Sequence, residues 1–577
     1  MDAARFTYAR RPLMRTTAIL LILLIVYFFS APVRAQTSIS DPNLLARIKQ
    51  LSAEQRWVEI VQLAETEAAR SADVNYHYGT ALARLERWAE AKSAFRHGLN
   101  QQPGDKRFPI ELAGVSFKQN NYAEAAEYLR RALRLDPADA YALDFLASLY
   151  FLQGNLEAAL MYWNRVSKPV VEEVRIDPTL KVDPVLLDHA FAFAPATVLH
   201  LSQLQTTEAR VGGLNIFATY RLDLEARSDG KFDSVFRARE RNGWGNTGWE
   251  GLLSLSRGLP FQTVHLDFFN IRRRAINVES LMRWDQEKRR LRTNLSGPFS
   301  GDPKWRYRLE LDLRNENWDV RHSFSGPAPP LAGLNLRKRA LTAAATTLVN
   351  GRWNWSSGVE LSHREFRNVI PGAALTPQLL AQGFQLKHVG QLDYELARAP
   401  QRRFFVTTGA STQIGRIWSQ PSHAFAKLQC SLQGRWFPQP SGDDYEIRGR
   451  MRAGRTFGEI PFDELFVLGV ERDNDLWLRS HIGTRDGRKG SAPLGRTYFL
   501  SNWELDKRVY SNALISLKLG PFLDSGKVTD SSPGLGSRTW LWDMGVQVKV
   551  RALGMGFAFS YGKDLRSGNN AFYVSTF

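Results

Sequence analysis

The side chains best placed for chemistry in this chain are ionic. In the run RTYFLSNWELDKRVY, Phe499, Trp503 and Leu505 alternate with Asn502, Glu504, Asp506 and Arg508. In LKLGPFLDSGKV, Leu517, Leu519, Pro521 and Leu523 alternate with Lys518 and Asp524. A strand sends successive side chains to opposite faces, so Glu504 and Asp524 fall on the polar faces of two consecutive strands. Carboxylates so placed are acceptors for a guanidinium fork, whose paired, charge-assisted hydrogen bonds a lysine cannot reproduce. Parity alone does not say which arginine meets them. Catalytic constellations are missing: there is no Gly-x-Ser-x-Gly elbow, no His-Glu-x-x-His and no phosphate loop. The ten histidines are scattered. The sequence therefore predicts a non-enzyme with no cofactor and no metal site.

The elements that carry these residues are strands. From about 243 to 577 no helical period survives. In KWRYRLELDLR, Trp305, Tyr307, Leu309, Leu311 and Leu313 alternate with Arg306, Arg308, Glu310, Asp312 and Arg314. One face is apolar and the other ionic. A soluble sandwich would bury the apolar face against a second sheet; a membrane barrel would turn it to lipid and keep the ionic face in a wet lumen. The length of the strands and their number, about sixteen and even, favour the barrel.

Ahead of the strands the composition changes. Residues from about 40 to 166 are rich in Ala, Leu, Glu and Arg, strong helix formers. A 34-residue period runs through Pro103 and Pro137, through Ala91, Ala125 and Ala159, and through Phe95, Leu129 and Trp163. Trp88, Tyr122 and Leu156 keep it too, as do Gly79, Ala113 and Ala147 at the small position. This resembles the tetratricopeptide repeat, whose stacked helix pairs present a concave face to a peptide or protein. Residues 36–171 are assigned to that array.

Between the two regions, residues 172–242 read as strand, helix, helix, strand, strand. Val174-Arg175-Ile176 precedes VLLDHAF, then VLHLSQLQTTEARVGGL, then two alternating runs joined at Asp229-Gly230, a hairpin signal. Gly213, Leu214, Ile216, Phe217, the Asp229-Gly230 turn and Glu240 make this segment similar to a POTRA domain, the polypeptide-transport-associated module that precedes certain outer-membrane barrels. Ala196 stands where that family usually has Gly before the second helix.

The first residues set the compartment. Arg5, Arg10, Arg11 and Arg15 lead into an apolar run from Ala18 to Phe29, and Val33-Arg34-Ala35 offers small residues to a signal peptidase. Residues 1–35 are predicted to be a signal peptide; a retained anchor is the alternative, disfavoured because the run is shorter than the ~20 residues a spanning helix needs. One cysteine, Cys430, excludes an internal disulfide framework. The formal charge of +18 would suggest nucleic acid in a cytosolic chain. For an exported chain it points to anionic lipid, a lined pore or an acidic passenger, and nucleic acid is not expected.

The most specific stretch is PFDELFVLGVERDNDLWLRSHIGTRDGRKGSAPLG and the two strands after it. It resembles the BamA/TamA-like surface-antigen superfamily and the two-partner secretion transporters. In that superfamily a long external loop folds back into the lumen and carries an Arg-Gly-aromatic motif. Here the motif stands as Leu478, Arg479, Ser480 and His481, with Ser in place of Gly and His in place of the aromatic. The resemblance implies an in-folded loop over 471–496; the alternating runs place eleven strands before it and five after, which agrees with that superfamily's sixteen-stranded layout. It also implies that Arg479 bridges Glu504 and Asp524 as a latch. The final strand AFYVSTF, with Tyr573 and Phe577, is similar to the terminal signal read by barrel-assembly machinery, Ser575 standing where an apolar residue is common.

Three functions remain open at this point: an assembly factor that inserts other barrel proteins, a dedicated polypeptide exporter, or an exopolysaccharide export porin with a repeat-domain scaffold. The third needs neither a POTRA-like module nor the latch loop. The expected partners are outer-membrane lipid, periplasmic or exported polypeptide clients, and a protein on the repeat array.

Overall fold

The computed structural model describes residues 42–577 except 68–69, 242–251, 253–257, 260–261, 322–328, 441, 513–514, 533, 538, 553–554 and 577. The expected signal peptide and Phe577 lie outside the described residues. Two compact units divide near Ala142.

The first unit is built from α1 (Pro42–Ala53), α2 (Trp57–Glu65), α3 (Ala72–Arg84), α4 (Trp88–Gln101), α5 (Arg107–Lys118) and α6 (Tyr122–Leu135). Each helix buries one stripe, and Ile48, Phe95, Phe108 and Leu112 form the fully enclosed centre. Gly79 is required by close approach, since a Cβ there would meet the Phe95 ring at 2.6 Å. The turns between paired helices carry a left-handed residue at Glu86 and at Asn120. Asn121 then caps α6 by accepting the Glu124 backbone N–H.

The second unit continues the repeat with the end of α7 (Ala140–Leu152) and α8 (Leu156–Trp163). Gly154 repeats the left-handed turn one period on, and Asn155 repeats the cap. An α/β module follows: β1 (Val170–Ile176), α9 (Pro184–Ala190), β2 (Thr197–Val198), α10 (Leu201–Leu214), β3 (Phe217–Ala226) and β4 (Phe232–Glu240). The module starts at Val170, two residues before the expected boundary, because Val170 and Val171 already pair with β2. Its sheet order is β2-β1-β4-β3, with β1 parallel to β4 and β3–β4 a hairpin turning at Gly230. Glu240 accepts the backbone N–H groups of Lys181 and Val182 at 2.9 and 3.0 Å, closing the segment before α9. Ala196 is left-handed, with φ of 59°, a conformation glycine adopts without cost.

The rest is a closed antiparallel barrel. Its wall begins with β5 (Thr263–Ile271), β6 (Ile276–Trp284), β7 (Lys288–Phe299), β8 (Asp302–Arg321) and β9 (Pro330–Thr347). It continues with β10 (Trp353–Ile370), β11 (Gly383–Ala399), β12 (Phe404–Trp418), β13 (His423–Trp436) and β14 (Tyr445–Gly458). Four two-residue strands lie in the loop that follows: β15 (Phe466–Val467), β16 (Thr484–Arg485), β17 (Arg488–Lys489) and β18 (Leu494–Gly495). The wall resumes with β19 (Thr497–Ser511), β20 (Ile515–Thr529), β21 (Leu541–Ala552), β22 (Met555–Asp564) and β23 (Asn570–Thr576). Among the described residues ten wall strands precede the loop and five follow. Most of 243–261, where a strand before β5 would fall, lies outside the described residues.

The surface is inside-out. Trp305, Leu309 and Leu311 stand exposed on the outer wall, while Asp312 on the alternate face is 5% exposed. The same holds for Leu519 and Leu523 against Asp524. A sandwich would enclose those leucines; a membrane-spanning barrel shows them to lipid. Among the described residues no helix is long and apolar enough to cross a membrane.

The α/β module sits on turns at one end of the barrel. Arg273, in the β5–β6 turn, donates from Nε to the Lys181 carbonyl at 2.7 Å and accepts the Asp183 N–H at 2.8 Å. Arg210 of α10 donates to the Leu348 and Val349 carbonyls after β9. The long loop enters from the opposite end, as strand alternation requires.

Candidate functional site: the loop inside the lumen

The segment between β14 and β19, residues 459–496, turns back into the barrel. Its burial begins at Ile460 rather than at 471, because Phe462 and Phe466 already pack inside the wall, Phe462 against Trp318 and Phe466 against Tyr498. Leu468, Leu476 and Leu478 add an apolar strip around Tyr498 and Leu500. That strip aligns the loop; ionic contacts fix its depth.

Arg479 is 4% exposed and every nitrogen of its side chain is engaged. Nε and Nη2 donate to Oδ2 and Oδ1 of Asp524 at 2.8 and 2.6 Å. Nη1 donates to Glu504 Oε1 at 2.6 Å and to Gln547 Oε1 at 3.2 Å. The Arg479 backbone N–H also reaches Asp524 Oδ2, at 3.1 Å. The guanidinium lies 3.9 Å from the centre of the Phe522 ring, a cation–π contact. A buried ion pair is favourable only when its remaining donors and acceptors are satisfied. Asn502 Nδ2 supplies a further bond to Asp524 Oδ1, and Lys549 binds the second oxygen of Glu504 at 2.7 Å.

Register explains why these wall residues meet. Asn502 pairs with Asp524 across β19 and β20, and Glu504 pairs with Phe522. All four side chains therefore share the inner face. Ser480 and His481 extend the contact: the Ser480 N–H donates to Asp543 Oδ2 at 2.7 Å, and His481 Nδ1 lies 3.1 Å from the same oxygen. Leu478 is fully buried in the apolar strip. Tyr573 faces inward on β23, its ring 5.7 Å from Trp477 and nearly perpendicular to it.

Two further anchors were not read from the sequence. Asp463 and Glu464 meet a cationic patch on the wall: Glu464 Oε1 lies 3.1 Å from Lys338 Nζ and 3.0 Å from Lys387 Nζ, and Arg364 Nη1 donates to Asp463 at 2.7 Å. Asp473 meets Arg283, Arg290 and Lys489. The available signal was the parity of Lys338 and Lys387, which share the inner face of strands whose outer face carries Leu341 and Leu386. Nothing in the sequence pairs those lysines with a dipeptide 77 and 126 residues away. Arg290, near the start of β7, lines the lumen, whereas Arg273 lies in the β5–β6 turn.

A cavity of about 890 Å³ opens beside Arg479, lined by Arg448, Arg450, Arg452, Lys549, Glu504 and Tyr573 among others. Its wall is mainly cationic.

The tetratricopeptide repeat family matches residues 116–168. No curated protein matches the chain. Among solved structures the chain is similar to BamA from Haemophilus ducreyi lacking POTRA domains 1–3, at 13% identity over 71% of this chain and 85% of that one, with a TM-score of 0.40. It is similar to CdiB from Escherichia coli at 13% identity, covering 71% and 75% with a TM-score of 0.44. For CdiB from Acinetobacter baumannii the values are 10%, 71% and 73%, with a TM-score of 0.40.

Proposed function

We propose that this chain is an outer-membrane barrel of the BamA/TamA-like kind, which inserts other barrel proteins or passes a polypeptide, and whose in-folded loop is a displaceable plug. The observation that carries the proposal is Arg479 bound at once to Asp524 and Glu504 from inside a barrel with an apolar outer surface. A plug held mainly by grease would expose apolar area to the lumen on leaving. This loop has an apolar strip as well, but its three ionic anchors return their charges to water on leaving, which offsets part of the cost of displacement.

In this reading residues 1–35 direct export, and the repeat array and POTRA-like module hang in the periplasm. The module sits on the short barrel turns, where a client would arrive. The repeat array recruits a protein partner. The cationic cavity beside the latch suits an acidic stretch of polypeptide.

Depletion of the protein followed by quantitative proteomics of outer membrane and culture medium tests this. The expected result is loss of a set of barrel proteins, or of one exported polypeptide. Loss of surface polysaccharide alone, with both proteomes unchanged, would overturn the proposal in favour of a polysaccharide porin.

A further inference from the structure

Asp524, Asp543 and Asp564 occupy directly opposed positions on three successive wall strands, β20, β21 and β22. All three are almost completely buried. Like charges set directly across a ladder repel, so a carboxylate row of this kind needs positive charge. Arg479 supplies it to Asp524. The next two carboxylates face His481, which is fully buried.

The hydrogen bonds around His481 are incomplete. Asp543 Oδ2 is taken by the Ser480 N–H and by Nδ1 of His481, but Asp543 Oδ1 is buried without a partner. His481 Nε2 is also buried without a partner, and lies 3.9 Å from Asp564 Oδ2. Buried polar atoms left in this state are uncommon in native proteins and call for a specific cause. One donor atom from each of His481, Asp543 and Asp564 can be chosen so that all lie within 4.8 Å of one another.

We propose that His481, Asp543 and Asp564 bind a divalent first-row transition metal that ties the in-folded loop to β21 and β22. One imidazole and two carboxylates match the ligands zinc and manganese take, whereas calcium and magnesium favour oxygen alone. The two positive charges of the ion offset the two carboxylates that Arg479 does not reach. Because ligands come from the loop and from two wall strands, the ion would lock the plug. Its binding does not depend on what passes through the barrel.

The test uses the full mature chain without an affinity tag, purified in detergent, stripped with EDTA and returned to zinc ions alone. Folding is checked by the heat-dependent shift in gel mobility. The expected result is one zinc per chain by elemental mass spectrometry, with affinity falling at least tenfold in His481→Gln and in Asp543→Asn and unchanged in His200→Gln, which alters the residue capping α10 outside the barrel. Zinc should also slow protease cutting within 459–496 in the wild type and not in the two site variants. Should both variants fail to fold, the wild type still decides: folded chain that retains no stoichiometric zinc overturns the proposal. Equal affinity in wild type and folded variants overturns it as well.

Discussion

Arg479 and Asp524 meet through two parallel hydrogen bonds, at 2.8 and 2.6 Å, although 45 residues separate them. The pair joins a loop to a wall strand, so its strength sets how often the loop leaves. Removing Arg479 strands the fully buried Asp524, at a cost of up to ~3–5 kcal/mol, and costs less at Glu504, which borders the open cavity. Arg479→Ala is therefore expected to make 459–496 cleavable by an external protease in the folded barrel, and to raise single-channel conductance. Arg479→Lys should sit between, since a single ammonium cannot form the fork. Loop protection identical to wild type in Arg479→Ala would remove the latch from the account.

Glu464→Gln probes the anchor at the other end of the loop. It removes the loop carboxylate shared by Lys338 and Lys387 and leaves them to Glu360 on the wall, with Asp463 still beside Lys338. We expect the loop to open more readily than in wild type but less than in Arg479→Ala, because these counter-charges remain. Combined with Arg479→Ala the opening energies should sum, because the sites touch different strands and share no side chain. A double variant no more open than either single one would show that the loop leaves in independent halves.

How much of this was legible follows from what strand parity encodes. Parity places Glu504 and Asp524 on the inner face, and burial of Asp524 beside exposed Leu523 agrees. The helical period likewise places Ala91, Ala125 and Ala159, all fully buried. Parity says nothing about which loop residue reaches which strand, and so Asp463, Glu464 and Asp473 went unread. It also hid the Asp524, Asp543 and Asp564 row, since opposed positions depend on register, which turn lengths set. Tyr573, expected as part of a terminal signal, also meets Trp477 in the lumen, a contact that parity does not predict.

Ala196 offers a test of the α/β module. Its φ of 59° puts a Cβ where L-residues pay about 1–2 kcal/mol, part of which glycine returns through its freer unfolded chain. Ala196→Gly should stabilise the module by up to ~1 kcal/mol. Ala196→Val should destabilise it by more, because β-branching worsens the left-handed conformation. Urea-dependent proteolysis at the module, in the intact detergent-solubilised chain, reads both. A glycine variant less resistant than wild type would mean that the turn is not left-handed in solution.

Glu208 gives the module a pH dependence whose sign can be fixed. It lies on α10, beside Glu157, and its carboxyl is pushed up to about 7, first by burial and then by the Glu157 carboxylate, with Arg398 opposing. Unfolded, the same group titrates near 4.5. Between these values the folded state holds a proton that the unfolded state has lost, so stability falls as pH rises through the interval. Below about 4.5 the group is neutral in both states and costs nothing; above about 7 the penalty is complete and constant. Glu208→Gln removes the titration while keeping the shape. The variant should match wild type at pH 4.5, gain resistance to unfolding relative to it between pH 5 and 7, and keep a fixed advantage at pH 8. Thermal unfolding midpoints across that range measure the difference. A gap that is the same at pH 4.5 and pH 8 would place Glu208 in water rather than in the junction between α10 and the barrel.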